Sequence, residues 1–314
     1  MGLDYLHNHP EFLELIRIVG QDNKIDPALI EKDYWIMHCL FGLQQAGMTF
    51  ELKGGTSLSK GYGIIHRFSE DIDIRVEPPT EMKVPIGRNQ DKPVQCQQRK
   101  EFYDWLTKEI NIEGIYDKQR DMLFDDKKYR SGGIRLFYKA LSTPLEGLKT
   151  GILLEVGFDD VTPNTPKDIS SWAYEYAAKK VSILDNRAKN VPCYHPGYTL
   201  VEKLQTISTK FRKQQKTNTF SENFMRHYYD VYCLLQDPIV QSFIGTQEYQ
   251  EHKKKRFRQE DNPIIEENEA FLLHDLITRM EYKKAYQNSR NLYYKGQPDF
   301  DEIMHVIQTF VKKL

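Results

Sequence analysis

A chain of 314 residues with 39% hydrophobic and 28% charged content can bury a full core, which excludes disorder over its whole length and fits one large domain or two modest ones. Its formal net charge of -1 excludes a protein that grips nucleic acid by bulk positive charge, so any partner must be read from local patches. The four cysteines, Cys39, Cys96, Cys193 and Cys233, form no Cys-x-x-Cys pair, which suggests neither a disulfide framework nor a zinc site and suits a reducing cytoplasm.

The opening "MGLDYLHNHPEF" lacks a basic start followed by an apolar stretch, and no run of about 18 apolar residues follows anywhere, so neither a signal peptide nor a membrane span is expected. Met1-Gly2 opens like a myristoylation site, but Leu6 stands where Ser or Thr is required. "DPALIEKDYWIMHCLFGLQQAG" predicts one helix, capped by Asp26, with Pro27 in its first turn and Gly47 at its end. Leu29, Ile30, Trp35, Ile36, Leu40 and Leu43 give it an apolar stripe. Next come a short apolar segment from Phe50 to Leu52, the Gly54-Gly55 turn, a short helix, and "DIDIRVE", whose alternation of polar and apolar residues predicts a half-buried strand.

From Glu77 to Lys92 proline and polar residues predict a loop, followed by a helix from Gln97 to Ile110. "GGIRLFYKA" and "KTGILLEVGF" read as two strands of one sheet joined through "STPLEGL". Beyond Pro196 the pattern turns helical. Leu200, Leu204, Ile207 and Phe211 share one helical face, as do Phe224, Tyr228, Val231 and Leu235 in "ENFMRHYYDVYCLL". The expected architecture is α+β, a mixed sheet flanked by helices in residues 1–190 followed by a mainly helical domain in residues 191–314.

Side chains alternate across a strand, so Asp71 and Asp73 share one face while Ile72 and Ile74 point into the core. Two carboxylates so close repel one another and call for a cation. Magnesium, with manganese as the alternative, suits them, since it binds through one or two carboxylates together with substrate phosphates. The turn Gly54-Gly55-Thr56-Ser57 offers close backbone approach, a helix start and two hydroxyls to phosphate. Glu155, the one charge in an apolar strand, is a third candidate ligand and a candidate proton acceptor. An Asp-x-Asp alone is more often a solvated face and a Gly-Gly pair only a turn, but their ordered combination points to metal-assisted phosphoryl or nucleotidyl transfer.

At these residues the sequence resembles the nucleotidyltransferase superfamily with the DNA polymerase β-like core. More narrowly, "IEKDYWI", "LKGGTSLSKGYGIIHRFSEDIDI", "LLEVGF", "LVEKLQTI" and "RHYYDVYCLL" resemble the AbiEii/AbiGii toxin family of type IV toxin–antitoxin and phage-abortive systems. The resemblance implies that Gly54, Gly55 and Thr56 or Ser57 face the nucleotide phosphates, that Asp71 and Asp73 hold metal, that Lys203 meets the triphosphate, and that Asp230 is the family's later aspartate. Many members carry Arg-Asp before that aspartate, where this chain has Arg226 and His227. It further implies an NTP substrate, tRNA or another RNA as acceptor, a helical domain that closes the nucleotide cleft, growth inhibition as outcome, and a cognate antitoxin. The rival readings are an NTP-dependent kinase on the same core and a nucleotide- or antitoxin-binding module without turnover.

Several residues also have plain structural readings. Lys203 suits a surface lysine whose stem packs along its helix. Arg226 and Asp230 suit an i, i+4 ion pair. Lys32 and Asp33 suit pins that hold the long helix to the sheet through Lys53 or an acid. The runs Lys210, Arg212, Lys213, Lys216 and "HKKKRFR" at 252–258, with His66 and the tyrosines, are candidate RNA contacts, but solvated faces and helix interfaces account for them more simply.

Overall fold

The computed structural model describes residues 3–87, 89–217, 219–220 and 224–314. Met1-Gly2 and the start of the helix expected from Glu222 lie outside them. The chain divides into two units, one of Met1–Gly61 with Phe68–Tyr194, the other of Tyr62–Arg67 with His195–Leu314.

The first unit is built on a seven-stranded mixed sheet of β1 (Phe50–Lys53), β2 (Asp71–Val76), β3 (Ile115–Asp121), β4 (Ser131–Tyr138), β5 (Ile152–Gly157), β6 (Asn164–Ile169) and β7 (Ala188–Tyr194). Their order is β3-β4-β5-β2-β1-β7-β6. β2 runs parallel to β5 and β1 to β7, and the other neighbours are antiparallel. The alternation in "DIDIRV" sets two faces. Ile72, Ile74 and Val76 are buried with Leu154, Val156 and Ile134, while Asp71, Asp73 and Arg75 stand half-buried on the other side. The two strands expected at 132–140 and 149–158 are β4 and β5, paired antiparallel. β3, β6 and β7 escape the sequence reading for physical reasons. β3 is a polar edge strand, and β6 and β7 carry Pro166 and Pro192, which lie opposite each other in register.

Among the described residues the α-helices of this unit are α1 (Phe12–Asn23), α2 (Pro27–Gln45), α3 (Gly54–Thr56), α4 (Pro93–Glu109) and α5 (Trp172–Ala177). Asp26 caps α2 by accepting from the Ala28 N–H at 2.8 Å, and Gly47 follows its end with φ +73°. The expected single stripe understates α2, which is buried nearly all round, including Glu31, Lys32, Asp33 and His38. Each of these polar groups has partners. Glu31 accepts from the Leu141 and Ser142 N–H groups at 2.8 and 2.7 Å. His38 meets the Glu113 carbonyl and Asn186, both at 2.9 Å.

The second unit holds the helices α6 (Pro196–Thr217), α7 (Arg226–Gln236), α8 (Pro238–Phe243), α9 (Gln247–Arg256), α10 (Glu269–Leu272), α11 (Leu276–Gln287) and α12 (Phe300–Phe310). Leu200, Leu204 and Ile207 of α6 and Tyr228, Val231 and Leu235 of α7 form its core as their spacing predicts, while Phe211 remains half-exposed. The short segment Tyr62–Arg67 joins this unit by donating the His66 N–H to the Tyr229 hydroxyl at 3.1 Å and by a bridge from Arg67 to Tyr293. No helix among the described residues is long and apolar enough to cross a membrane.

Candidate active site

The polar face of the sheet gathers the predicted acids of the first unit. Lys53, Asp73, Glu155 and Gly133 lie in register across β1, β2, β5 and β4, so the carboxyls of Asp73 and Glu155 are strand neighbours. Asp71 sits two residues along β2 on the same face. Burial, followed by repulsion from Asp73 and Asp71, pushes the Glu155 carboxyl up to about 8. Burial likewise raises Asp71, with Asp73 adding to the effect and Lys149 opposing it. These carboxyls hold negative charge at a cost, the condition that a bound cation relieves.

The glycine turn is pressed against both aspartates. Gly54 has φ +70°, and a Cβ there would fall 2.0 Å from Asp73 Oδ2, so this glycine leaves room for the carboxylate itself. Thr56, fully buried, donates its hydroxyl to the Asp71 carbonyl at 2.5 Å. Ser57 is also fully buried, with its hydroxyl against the Cys193 thiol. Gly55, which precedes them, is buried as well. The turn therefore fixes the positions of the two acids, a role that its sequence did not disclose.

Two further residues were missed because their partners are remote in the chain. Lys149, in the β4–β5 connection, brings its ammonium to 3.6 Å from Asp71 Oδ2. Glu70 accepts from the Lys149 N–H at 2.8 Å and faces Lys32 at 3.5 Å. Lys32 thus pairs with an acid, Glu70, which was one of the two partners considered from the sequence, while Asp33 pairs with Lys60 at 2.7 Å in place of Lys53.

The donors suit a hard divalent cation. Asp71 Oδ1 is buried and has no hydrogen-bond partner, and the row of carboxyls offers oxygen alone. Among the described residues no three His, Cys, Asp or Glu side chains are gathered closely enough to cage a metal by themselves.

In the second unit Lys203 and Asp230 meet each other, 2.8 Å apart. Asp230 is fully buried and also takes two bonds from the Arg67 guanidinium, at 2.7 and 2.8 Å. Burial opposes its ionisation, yet Arg67 and Lys203 hold it well below the usual carboxylate range. Arg67 was not foreseen, and its only signal was an aspartate on a largely apolar helix face that needed more than one cation. His227, beside the same cations, is kept neutral by burial and by Lys203.

The remaining candidates are mostly occupied elsewhere. Arg212 pairs with Asp261 at 2.8 Å and with Glu260, and Arg256 with Glu202 at 3.4 Å, which breaks up the basic runs. Tyr228, Tyr249, Tyr282 and Tyr286 are core residues. His66 lies edge-on to Tyr294 and lines an open cavity of about 670 Å³ with Tyr229, Tyr232, Cys233 and Lys295.

A mixed sheet carrying such a row of acids beside a Gly-Gly-Thr turn is a core of the nucleotidyltransferase class. The chain belongs to the AbiEii family, whose model, described as the nucleotidyl transferase AbiEii toxin of a type IV toxin–antitoxin system, matches residues 35–306. This is the family that the motifs resembled, and it makes the chain an enzyme of the nucleotidyl-transferring class. Among solved structures it is similar to MenT4, a nucleotidyltransferase toxin from Mycobacterium tuberculosis, with 14% identity, 94% of this chain and 98% of that chain covered, and a TM-score of 0.41. No curated protein sequence matches the chain.

Proposed function

We propose that this protein transfers a nucleoside monophosphate from an NTP to a hydroxyl of tRNA or another cellular RNA, in the cytoplasm, and so inhibits growth as the toxin of a type IV toxin–antitoxin or phage-abortive pair. The observation that carries the reading is the register of Asp73 beside Glu155, with Asp71 on the same face and Gly54 pressed against the carboxylate. Asp71 and Asp73 are the proposed holders of magnesium or manganese, which when bound would neutralise the phosphate oxygens. Glu155, for which the sequence offered both a share of the metal and the part of proton acceptor, is proposed here to take the proton of the attacking hydroxyl. Its carboxyl lies in register beside Asp73, on the face where the attacking hydroxyl would have to approach the metal-bound phosphate.

The oxygen freed of its proton forms the new bond to the α-phosphorus, the bond from that phosphorus to the bridging oxygen breaks, and pyrophosphate leaves with the electron pair. The turn from Gly54 to Ser57 is proposed to meet the phosphates through its backbone, since both hydroxyls are turned inward. Lys203, oriented by Asp230, is the proposed cation for the triphosphate, and a cognate antitoxin is the proposed partner in the cell.

The test is incubation with total RNA, magnesium and each NTP in turn, labelled at the α or γ position, beside Asp73→Ala. RNA carrying α-label from the wild type and none from the variant is the expected result. Product carrying only γ-label would make the protein a kinase, and no labelled product with any NTP would make it a binding module.

A further inference from the structure

Lys149 is held in place by more buried charge than a loop residue ordinarily receives. Both polar atoms of its backbone are taken: its N–H donates to Glu70 Oε2 at 2.8 Å, and its carbonyl accepts from Lys32 Nζ at 2.6 Å. The side chains of Lys32 and Glu70 are only 1% and 2% exposed. A buried pair of this kind adds little net stability, so its effect here is positional. It fixes one residue of the β4–β5 connection, whose ammonium reaches 3.6 Å from Asp71 Oδ2 and whose side chain remains 33% exposed. The Phe124 ring lies 5.5 Å from the same ammonium and limits where it can go.

We propose that Lys149 is the resident counter-cation of the carboxylate site, neutralising Asp71 while no metal is bound and yielding it when a divalent cation loads. It is a positioning residue that sets how tightly the site takes its ion, with Lys32 and Glu70 as its mount. The inference rests on the metal-holding role proposed above for Asp71 and Asp73. An ammonium this close cancels part of the charge that attracts the ion, and its release is part of the cost of loading.

The test is Mn2+ titration of the full chain, with free ion followed by its electron paramagnetic resonance signal, for wild type, Lys149→Met, Lys149→Gln, Lys149→Arg and Asp71→Asn. The two neutral variants keep the backbone anchors. They are expected to bind Mn2+ roughly two- to tenfold more tightly, as befits a partly exposed ion pair, while Lys149→Arg stays near wild type and Asp71→Asn loses binding. Damage to the fold would weaken binding, so tighter binding is not a result that a merely structural residue gives. Unchanged or weaker affinity in both neutral variants, with wild type binding, overturns this inference alone. A wild type that binds no Mn2+ overturns it together with the metal reading.

Discussion

Gly54 shows how much one missing side chain can decide. Its φ of +70° would cost an L-residue about 1–2 kcal/mol, and the Cβ of an alanine would have to displace the Asp73 carboxylate from 2.0 Å away. Gly54→Ala is therefore expected to lower transfer activity by at least about tenfold, since a displacement of about 1 Å in a reacting site costs this much or more, while the melting temperature falls only modestly. Comparable losses of activity and of folded protein would show that the glycine serves the fold alone.

Glu155 carries a pH signature. A carboxyl raised on folding keeps its proton in the folded state after the unfolded chain has released it. Its contribution to stability is thus full below its ordinary value of 4.5 and declines as pH rises towards about 8. In EDTA the melting temperature of the wild type should fall across that window more steeply than that of Glu155→Gln. Parallel curves for the two proteins would contradict the burial and repulsion assigned to this group.

Helix α2 accounts for the "IEKDYWI" stretch at the scale of the element. Three consecutive charged residues point in three directions around the helix and each anchors a different part of the unit. Glu31 takes the N–H groups of Leu141 and Ser142, Lys32 takes Glu70 and the Lys149 carbonyl, and Asp33 takes Lys60 and the Trp172 N–H. Lys32→Met leaves Glu70 buried without its cation, and about 3–5 kcal/mol of stability should be lost in urea unfolding. A loss below about 1 kcal/mol would mean that the partners Glu70 keeps, the Lys149 N–H among them, satisfy it without Lys32.

The same helix marks how far the sequence could be read. Its caps, its length and the pinning role of Lys32 and Asp33 were legible because they depend on local spacing and residue type. The partners were not, because they lie 38 and 117 residues away from Lys32, and periodicity carries no information at that distance. For this reason Asp71, Asp73 and Glu155 could be picked out on their strands, while Lys149, Glu70 and Arg67, which complete their surroundings or those of Asp230, could not. The three strands that were missed lacked the alternation by which β2 announced itself, since β3 is polar and β6 and β7 contain prolines that pair with each other.

Over the whole molecule, the segment Tyr62–Arg67 belongs to the helical unit although the residues on either side belong to the sheet unit. Its anchor is the two-bond contact of Arg67 with the buried Asp230, which Lys203 shares. Arg67→Met should cost about 3–5 kcal/mol, because a single lysine is left to balance a fully buried carboxylate. Loss of the unfolding transition in a fragment of residues 195–314, regained when a peptide of residues 62–67 is supplied, would locate that stability in the inserted segment. An unaltered transition in the fragment would show that the insertion is dispensable. The chain crosses between its units three times, after Gly61, after Arg67 and after Tyr194. A single genetic breakpoint therefore cannot hand either unit to another protein intact: the stretch that leads into the proposed metal-holding aspartates is also a structural part of the helical half, so a transfer of either unit by one cut would split the other.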